Sequence, residues 1–150
     1  MNHTTEEPLK IRVKYHTEQP PLCFVDDKSD WVDLRARETM TYCAGDYIEI
    51  PLGVSIELPN GHEARVLPRS STFRKYGIMP ANGEGVIDNS YRGDNDEWHF
   101  LAACMRAGTV HAGDRICQFR ITTKQPRLEF VTTEYLGNPD RGGLGSTSTV

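Results

Sequence analysis

Apolar side chains alternate with polar ones at Leu9, Ile11, Val13 and Tyr15, with Lys10, Arg12, Lys14 and His16 between them. That period of two is the pattern of a half-buried strand. Val54, Ile56 and Leu58 repeat it around Ser55 and Glu57, and Cys117, Phe119 and Ile121 repeat it with Gln118 and Arg120 on the opposite face. Turn signals separate these runs: Pro20-Pro21, Ala44-Gly45-Asp46, Pro59-Asn60-Gly61, Ala81-Asn82-Gly83 and Ala112-Gly113-Asp114. No stretch carries the helical spacing of apolar residues over three turns. The best helical candidate is short, from about Ser70 to Tyr76, with a serine able to cap its first turn. Many short strands between frequent turns predict an all-β sandwich or barrel.

From Gly137 onward the pattern stops. The chain there is mostly Gly, Ser, Thr, Asp, Asn and Pro, and on composition it reads as a flexible tail. The expected organisation is a β domain over residues 1–136, with a polar tail at 1–8, followed by an arm over 137–150. The chain has no internal repeat.

With 150 residues, one domain can bury about two thirds of its unfolded surface. The net charge of −4 argues against a general nucleic-acid binder, and leaves room for a nucleotide held by a local cluster of donors. No apolar run reaches the length of a membrane span, and the segment 1–8 is polar and acidic, unlike a secretory signal, so a cytoplasmic protein is expected. Cys23, Cys43, Cys104 and Cys117 show no paired metal-ligand spacing, and the five histidines are scattered. Free thiols and no zinc site are the expectation.

One decapeptide carries candidate chemistry: Gly85-Val86-Ile87-Asp88-Asn89-Ser90-Tyr91-Arg92-Gly93-Asp94. Val86 and Ile87 read as a buried strand ending in a turn, which delivers the Asp88 carboxylate to a spot where it is partly desolvated and able to take a proton from water. Taken alone, an Asp at that place is also an ordinary turn cap, Tyr91 an ordinary core aromatic, and Asn82 before Gly83 ordinary turn chemistry.

Four further segments stand in order around it: Asp33-Leu34-Arg35-Ala36; Pro68-Arg69-Ser70-Ser71; Gly113-Asp114-Arg115-Ile116-Cys117-Gln118; and Arg141-Gly142-Gly143-Leu144-Gly145-Ser146-Thr147. With the decapeptide they resemble the five motifs of the trimeric dUTPases, which hydrolyse dUTP to dUMP and pyrophosphate. The resemblance runs from about Asp33 to the end of the sequence. It implies a distorted jelly roll with one short helix and a Gly-rich C-terminal arm that closes over the active site. It also implies a homotrimer with shared sites, magnesium as the ion, and no nucleic-acid or membrane partner. The role implied is to limit uracil incorporation into DNA and to supply dUMP for thymidylate synthesis.

The resemblance also implies residue roles. Asp88 is the base that activates the attacking water, and Tyr91 packs on the deoxyribose where a 2′-hydroxyl would collide. The hairpin holding Asn82 closes over uracil, with backbone groups of Gly85, Val86 and Ile87 at the base edge. Arg69, Ser70, Ser71 and Gln118 contact the phosphate chain, and Asp33 reaches the metal through water. Arg141, Leu144, Gly145, Ser146 and Thr147 belong to the closing arm, Arg141 neutralising phosphate charge as an arginine finger does. No Lys follows the glycines, so a P-loop is excluded. The sequence departs from the family at Trp31, where a glycine is common, and at Leu144, where a phenylalanine commonly stacks on uracil. Arg141 also stands closer to Leu144 than usual. Two alternatives remain: a dCTP deaminase of the same fold, for which Glu84 and Glu97 would be the nearby acids, or a dUTPase-like regulator that binds nucleotide and a protein partner.

Overall fold

Eleven strands and one helix follow one another in a computed structural model that describes residues 7–24 and 28–145. In chain order they are β1 (Arg12–Tyr15), β2 (Val32–Arg35), β3 (Met40–Tyr42), β4 (Tyr47–Pro51), β5 (Val54–Glu57), β6 (His62–Pro68), α1 (Thr72–Tyr76), β7 (Ile78–Pro80), β8 (Gly85–Ile87), β9 (His99–Cys104), β10 (Gly108–Val110) and β11 (Arg115–Thr123). The all-β expectation holds, with the single helix where it was predicted.

The strands form a four-stranded sheet in the order β2-β11-β6-β8, a three-stranded sheet β4-β9-β7, and two ribbons, β1-β5 and β10-β3. Every pairing is antiparallel. Their inner faces close on one core, whose largest fully buried side chain, Trp98, meets Phe119 edge-on at 5.2 Å. Such an aromatic pair contributes roughly 0.5–1.5 kcal/mol beyond the area it buries.

Two strands depart from simple alternation. In β5, Val54, Ser55 and Ile56 are all buried; β1 pairs alongside, and His16 just past its end sets Nε2 2.7 Å from Ser55 Oγ. In β11, Ile116 and Cys117 are buried in succession because a bulge shifts the register between Arg115 and Cys117. The extra residue turns Ile116 inward without displacing Cys117 and Phe119 from the core face.

The predicted serine cap is not made. Ser71 stands at the N-cap with no side-chain hydrogen bond to the helix. Thr72 does the local work instead: its hydroxyl accepts the Arg69 amide at 2.8 Å and donates to the Ile116 carbonyl at 2.7 Å. The short helix is thereby tied to β11 rather than capped within itself.

Beyond β11, every described residue from Lys124 to Gly145 is exposed. Among them are Leu128, Phe130, Val131, Tyr135 and Leu136, and Leu144 has a left-handed φ of 49°. An apolar groove of about 1150 Å³ opens on the same domain, lined by Leu9, Ile11, Val13, Leu22, Val32 and Ile121 among others. Among the described residues, no helix is long and apolar enough to cross a membrane.

Candidate active site

β7 and β8 are consecutive, joined by the turn through Asn82 and Gly83, yet they do not pair with each other. β7 pairs with β9, and β8 pairs with β6. The turn is closed by Gly83 N–H donating to the Pro80 carbonyl at 3.3 Å, with Gly83 at a φ of 74° that suits glycine. The result is an open hairpin. β8 is the edge of its sheet, so one side of its backbone presents unpaired N–H and C=O groups. Val86 points outward and is 65% exposed, while Ile87 anchors the strand in the core. Gly85 is required by close approach: a Cβ there would stand 3.0 Å from Val66 Cβ and 3.3 Å from the Val66 carbonyl oxygen.

Asp88 follows directly and is exposed. Its Oδ1 accepts the Ser90 amide at 3.2 Å and its carbonyl accepts the Tyr91 amide at 3.0 Å, a tight turn in which Oδ2 has no hydrogen bond among the described residues. The Tyr91 hydroxyl donates to the Glu97 carbonyl at 2.8 Å, which holds the ring in place. Burial, and then the negative charges of Asp96 and Glu97, push the Tyr91 phenol above its ordinary value, so it stays neutral. The other acids near this loop are engaged. Glu84 is paired with Arg65. Glu97 accepts Arg37 through one carboxylate oxygen and the Gly53 amide through the other, both at 2.9 Å.

A second cluster lies where β2, β11 and the end of β6 meet. Gln118 is opposite Asp33 on one side and Leu67 on the other, and its side-chain amide donates to the Pro68 carbonyl at 3.2 Å. Arg69 Nε is 3.0 Å from Asp33 Oδ1, and Arg115 Nη1 is 3.4 Å from Asp33 Oδ2. One carboxylate therefore aligns two guanidinium groups. Ser70 is exposed and Ser71 half-exposed beside them. Hydroxyls and arginines gathered at one edge supply donors of the kind that suit an anion. Nearby, Trp31 lies under the Arg120 guanidinium at 5.0 Å, and Arg120 is also paired with Asp30. The tryptophan thus has a structural use at the position of the missing glycine.

The two clusters do not meet within one chain. Ile87 is opposite Ala64 on β6, which places Asp88 beside Glu63. Arg69 is six residues further along, roughly 20 Å away at the rise of a strand. Arg141, Leu144 and Gly145 lie on the exposed arm. Ser146 and Thr147 are outside the described residues.

Three contributors were not assigned roles from the residue pattern: Arg115, Asn89 and Thr72. Arg115 stood within a motif already singled out, and its charge there was the available signal. Asn89 stands in the decapeptide, but its carbonyl partners lie 27 to 31 residues away, and Thr72 bonds the Ile116 carbonyl 44 residues away as well as the nearby Arg69 amide. Among the described residues, no three His, Cys, Asp or Glu side chains gather closely enough to hold a metal. The four cysteines are free thiols.

A dUTPase family profile matches residues 29–150. The chain is 46% identical over 141 residues to the SPbeta prophage-derived deoxyuridine 5'-triphosphate nucleotidohydrolase of Bacillus subtilis strain 168, covering 94% of this chain and 99% of that one. It is 35% identical over 130 residues to the deoxyuridine 5'-triphosphate nucleotidohydrolase of Neorickettsia sennetsu, with 81% and 83% covered. Among solved structures, the fold matches the dUTPase of Streptococcus mutans with a TM-score of 0.69 at 22% identity, covering 78% of this chain and 98% of that one. A Staphylococcus bacteriophage 80alpha dUTPase mutant crystallised with dUpNHpp matches with a TM-score of 0.73 at 16% identity, covering 92% and 98%.

Proposed function

The chain belongs to the dUTPase family, and from that premise we propose that it hydrolyses dUTP to dUMP and pyrophosphate. The observation that carries this reading is the open hairpin, whose unpaired β8 edge runs between Asn82 and Asp88. A strand edge offers alternating donors and acceptors, and uracil presents acceptor, donor and acceptor along its pairing edge. Cytosine reverses two of these and would leave buried groups unpaired, a penalty larger than pocket shape alone gives. The Asn82 amide can donate and accept at once and completes the set. Tyr91 covers the sugar, where a 2′-hydroxyl would collide with the ring.

Asp88 holds and deprotonates a water that attacks the α-phosphorus in line. The new P–O bond forms as the bond to the β-phosphate bridging oxygen breaks. The proton passes to Asp88, and pyrophosphate leaves. Arg69, Ser70, Ser71 and Gln118 hold the phosphates, with Arg115 beside them, and their donors stabilise charge as it shifts to the leaving group. Magnesium, when bound, would neutralise that charge. Asp33 fits such an ion only through water, since both its oxygens face arginines, so most of the ion's ligands would be phosphate oxygens and waters. A dCTP deaminase would need a free glutamate, and Glu84 and Glu97 are both engaged.

Because Asp88 and Arg69 are far apart in one chain, each site combines segments of different copies, in a closed three-fold ring. The arm supports this arrangement. Leu128 and Phe130 alternate with Arg127 and Glu129, a strand-like pattern left exposed, and the apolar groove of a neighbouring copy offers a matching surface. From there residues 137–150 cross a neighbour's site. Arg141 then meets phosphate, Leu144 covers the base, and the backbone of Gly145 with Ser146 and Thr147 caps the terminal phosphate. In the cell this activity would keep dUTP from DNA synthesis and supply dUMP for thymidylate formation.

The test is a panel of dUTP, dTTP, dCTP and UTP with magnesium, scored for pyrophosphate and ammonia. Pyrophosphate from dUTP, at a rate well above the other three, is expected. Ammonia from dCTP without pyrophosphate would overturn the reading.

A further inference from the structure

Asn89 makes the densest side-chain contact in the loop that carries Asp88. Its Nδ2 lies 2.9 Å from the Pro59 carbonyl oxygen, 3.1 Å from that of His62 and 3.2 Å from that of Leu58. The Leu58 and Pro59 carbonyls belong to the connection between β5 and β6, and His62 opens β6. The turn there is closed by His62 N–H donating to Pro59, and its base is rooted in the core by buried Leu58. We propose that Asn89 is the positioning residue for Asp88: it clamps the catalytic loop to this turn and thereby sets where the Asp88 carboxylate points. The proposal rests on the reading of Asp88 as the water-activating base.

The argument is one of constraint. Asp88 itself is exposed and, among the described residues, its carboxylate has one partner, the Ser90 amide. On one side it is held by Ile87, buried in β8, and on the other by Asn89. Asp88 is thus the single exposed link between two fixed points. A general base must hold its water to within a fraction of an ångström of the line of attack, and a misplacement of about 1 Å costs on the order of a hundredfold. The residue type also matters. Three carbonyl oxygens converge on one nitrogen, so the side-chain end facing them must donate and carry no negative charge. Aspartate would turn a carboxylate towards three acceptors, and alanine would leave them without this donor.

The experiment measures kcat and KM for dUTP, with melting temperature, on purified full-length Asn89→Ala, Asn89→Asp and Asn89→Ser. Ile50→Val, a core substitution in β4, serves as a control for mild general destabilisation. The expected result is a kcat lowered about tenfold to a hundredfold in Asn89→Ala and Asn89→Asp, with KM within about threefold of native. Asn89→Ser, which keeps a donor, should recover part of kcat and also fold if Asn89→Ala does not. Ile50→Val should keep near-native kcat. A kcat within twofold of native in Asn89→Ala overturns the proposal, as does a KM that rises while kcat holds. An equal loss in Ile50→Val at the same melting temperature overturns it too. A native enzyme inactive towards dUTP would instead overturn the reading of the site, which separates the two failures.

Discussion

Arg69 Nε lies 3.0 Å from Asp33 Oδ1, and this pairing joins the end of β6 to β2 across β11. Both side chains are largely shielded, so the pair fixes geometry more firmly than an open surface ion pair does. The guanidinium also donates to the Arg115 carbonyl at 3.4 Å. The Arg69 guanidinium is therefore already oriented for the phosphate chain proposed above, and lysine cannot reproduce its planar fork. Arg69→Lys should raise KM for dUTP by roughly tenfold or more. Inhibition by deoxyuridine, which carries no phosphate, should stay unchanged. Steady-state kinetics with deoxyuridine as competitor check both.

Asp88→Asn keeps the shape of the loop and removes the base. The expected outcome is a kcat lower by roughly a hundredfold or more, with dUTP affinity within severalfold of native. Single-turnover rates and a binding isotherm with a non-hydrolysable analogue measure the two effects separately. Near-normal turnover would remove Asp88 from the mechanism.

The arm invites two truncations with different outcomes. Ending the chain after Gly137 removes the exposed Arg141 and Leu144, and should leave a folded oligomer with poor catalysis. Ending it after Lys124 also removes Leu128, Phe130 and Val131, and should weaken association itself. Light scattering and circular dichroism distinguish these outcomes from unfolding.

Cys117 gives a pH prediction. Burial, reinforced by the negative charge of Asp33, pushes its thiol far above the ordinary value of about 9. Below that pH the thiol is protonated whether the chain is folded or not. Above it the unfolded chain releases the proton and the folded chain keeps it. The unfolded state then binds fewer protons, and stability falls as pH rises. Denaturant titrations from pH 7 to 10.5 should show this alkaline loss in the native chain and a shallower one in Cys117→Ala.

Much of the fold was legible because it depends on near neighbours. Val86 and Ile87 before Asp88 announce a strand end, and the Asn82-Gly83 turn announces a hairpin. What escaped depends on distant partners. Ser55 reads as a polar outward residue until β1 lays His16 against it. The helix start reads as a serine cap until Thr72 finds the Ile116 carbonyl across the fold. The site residues were legible as types in order, while their division into two clusters follows from the β6–β8 register, which no local pattern encodes. Leu128 and Phe130 also alternate, yet both stay exposed among the described residues of their own chain.

The central claim is that the water-activating half and the phosphate-binding half of each site come from different copies. Asp88→Asn and Arg69→Ala chains, each inactive alone, can be co-expressed and the mixed oligomers assayed for pyrophosphate release from dUTP. Random assembly in rings of three leaves about a quarter of all sites with both halves intact, so roughly a quarter of native activity should return. Activity no greater than the sum of the two variants measured separately would contradict the account.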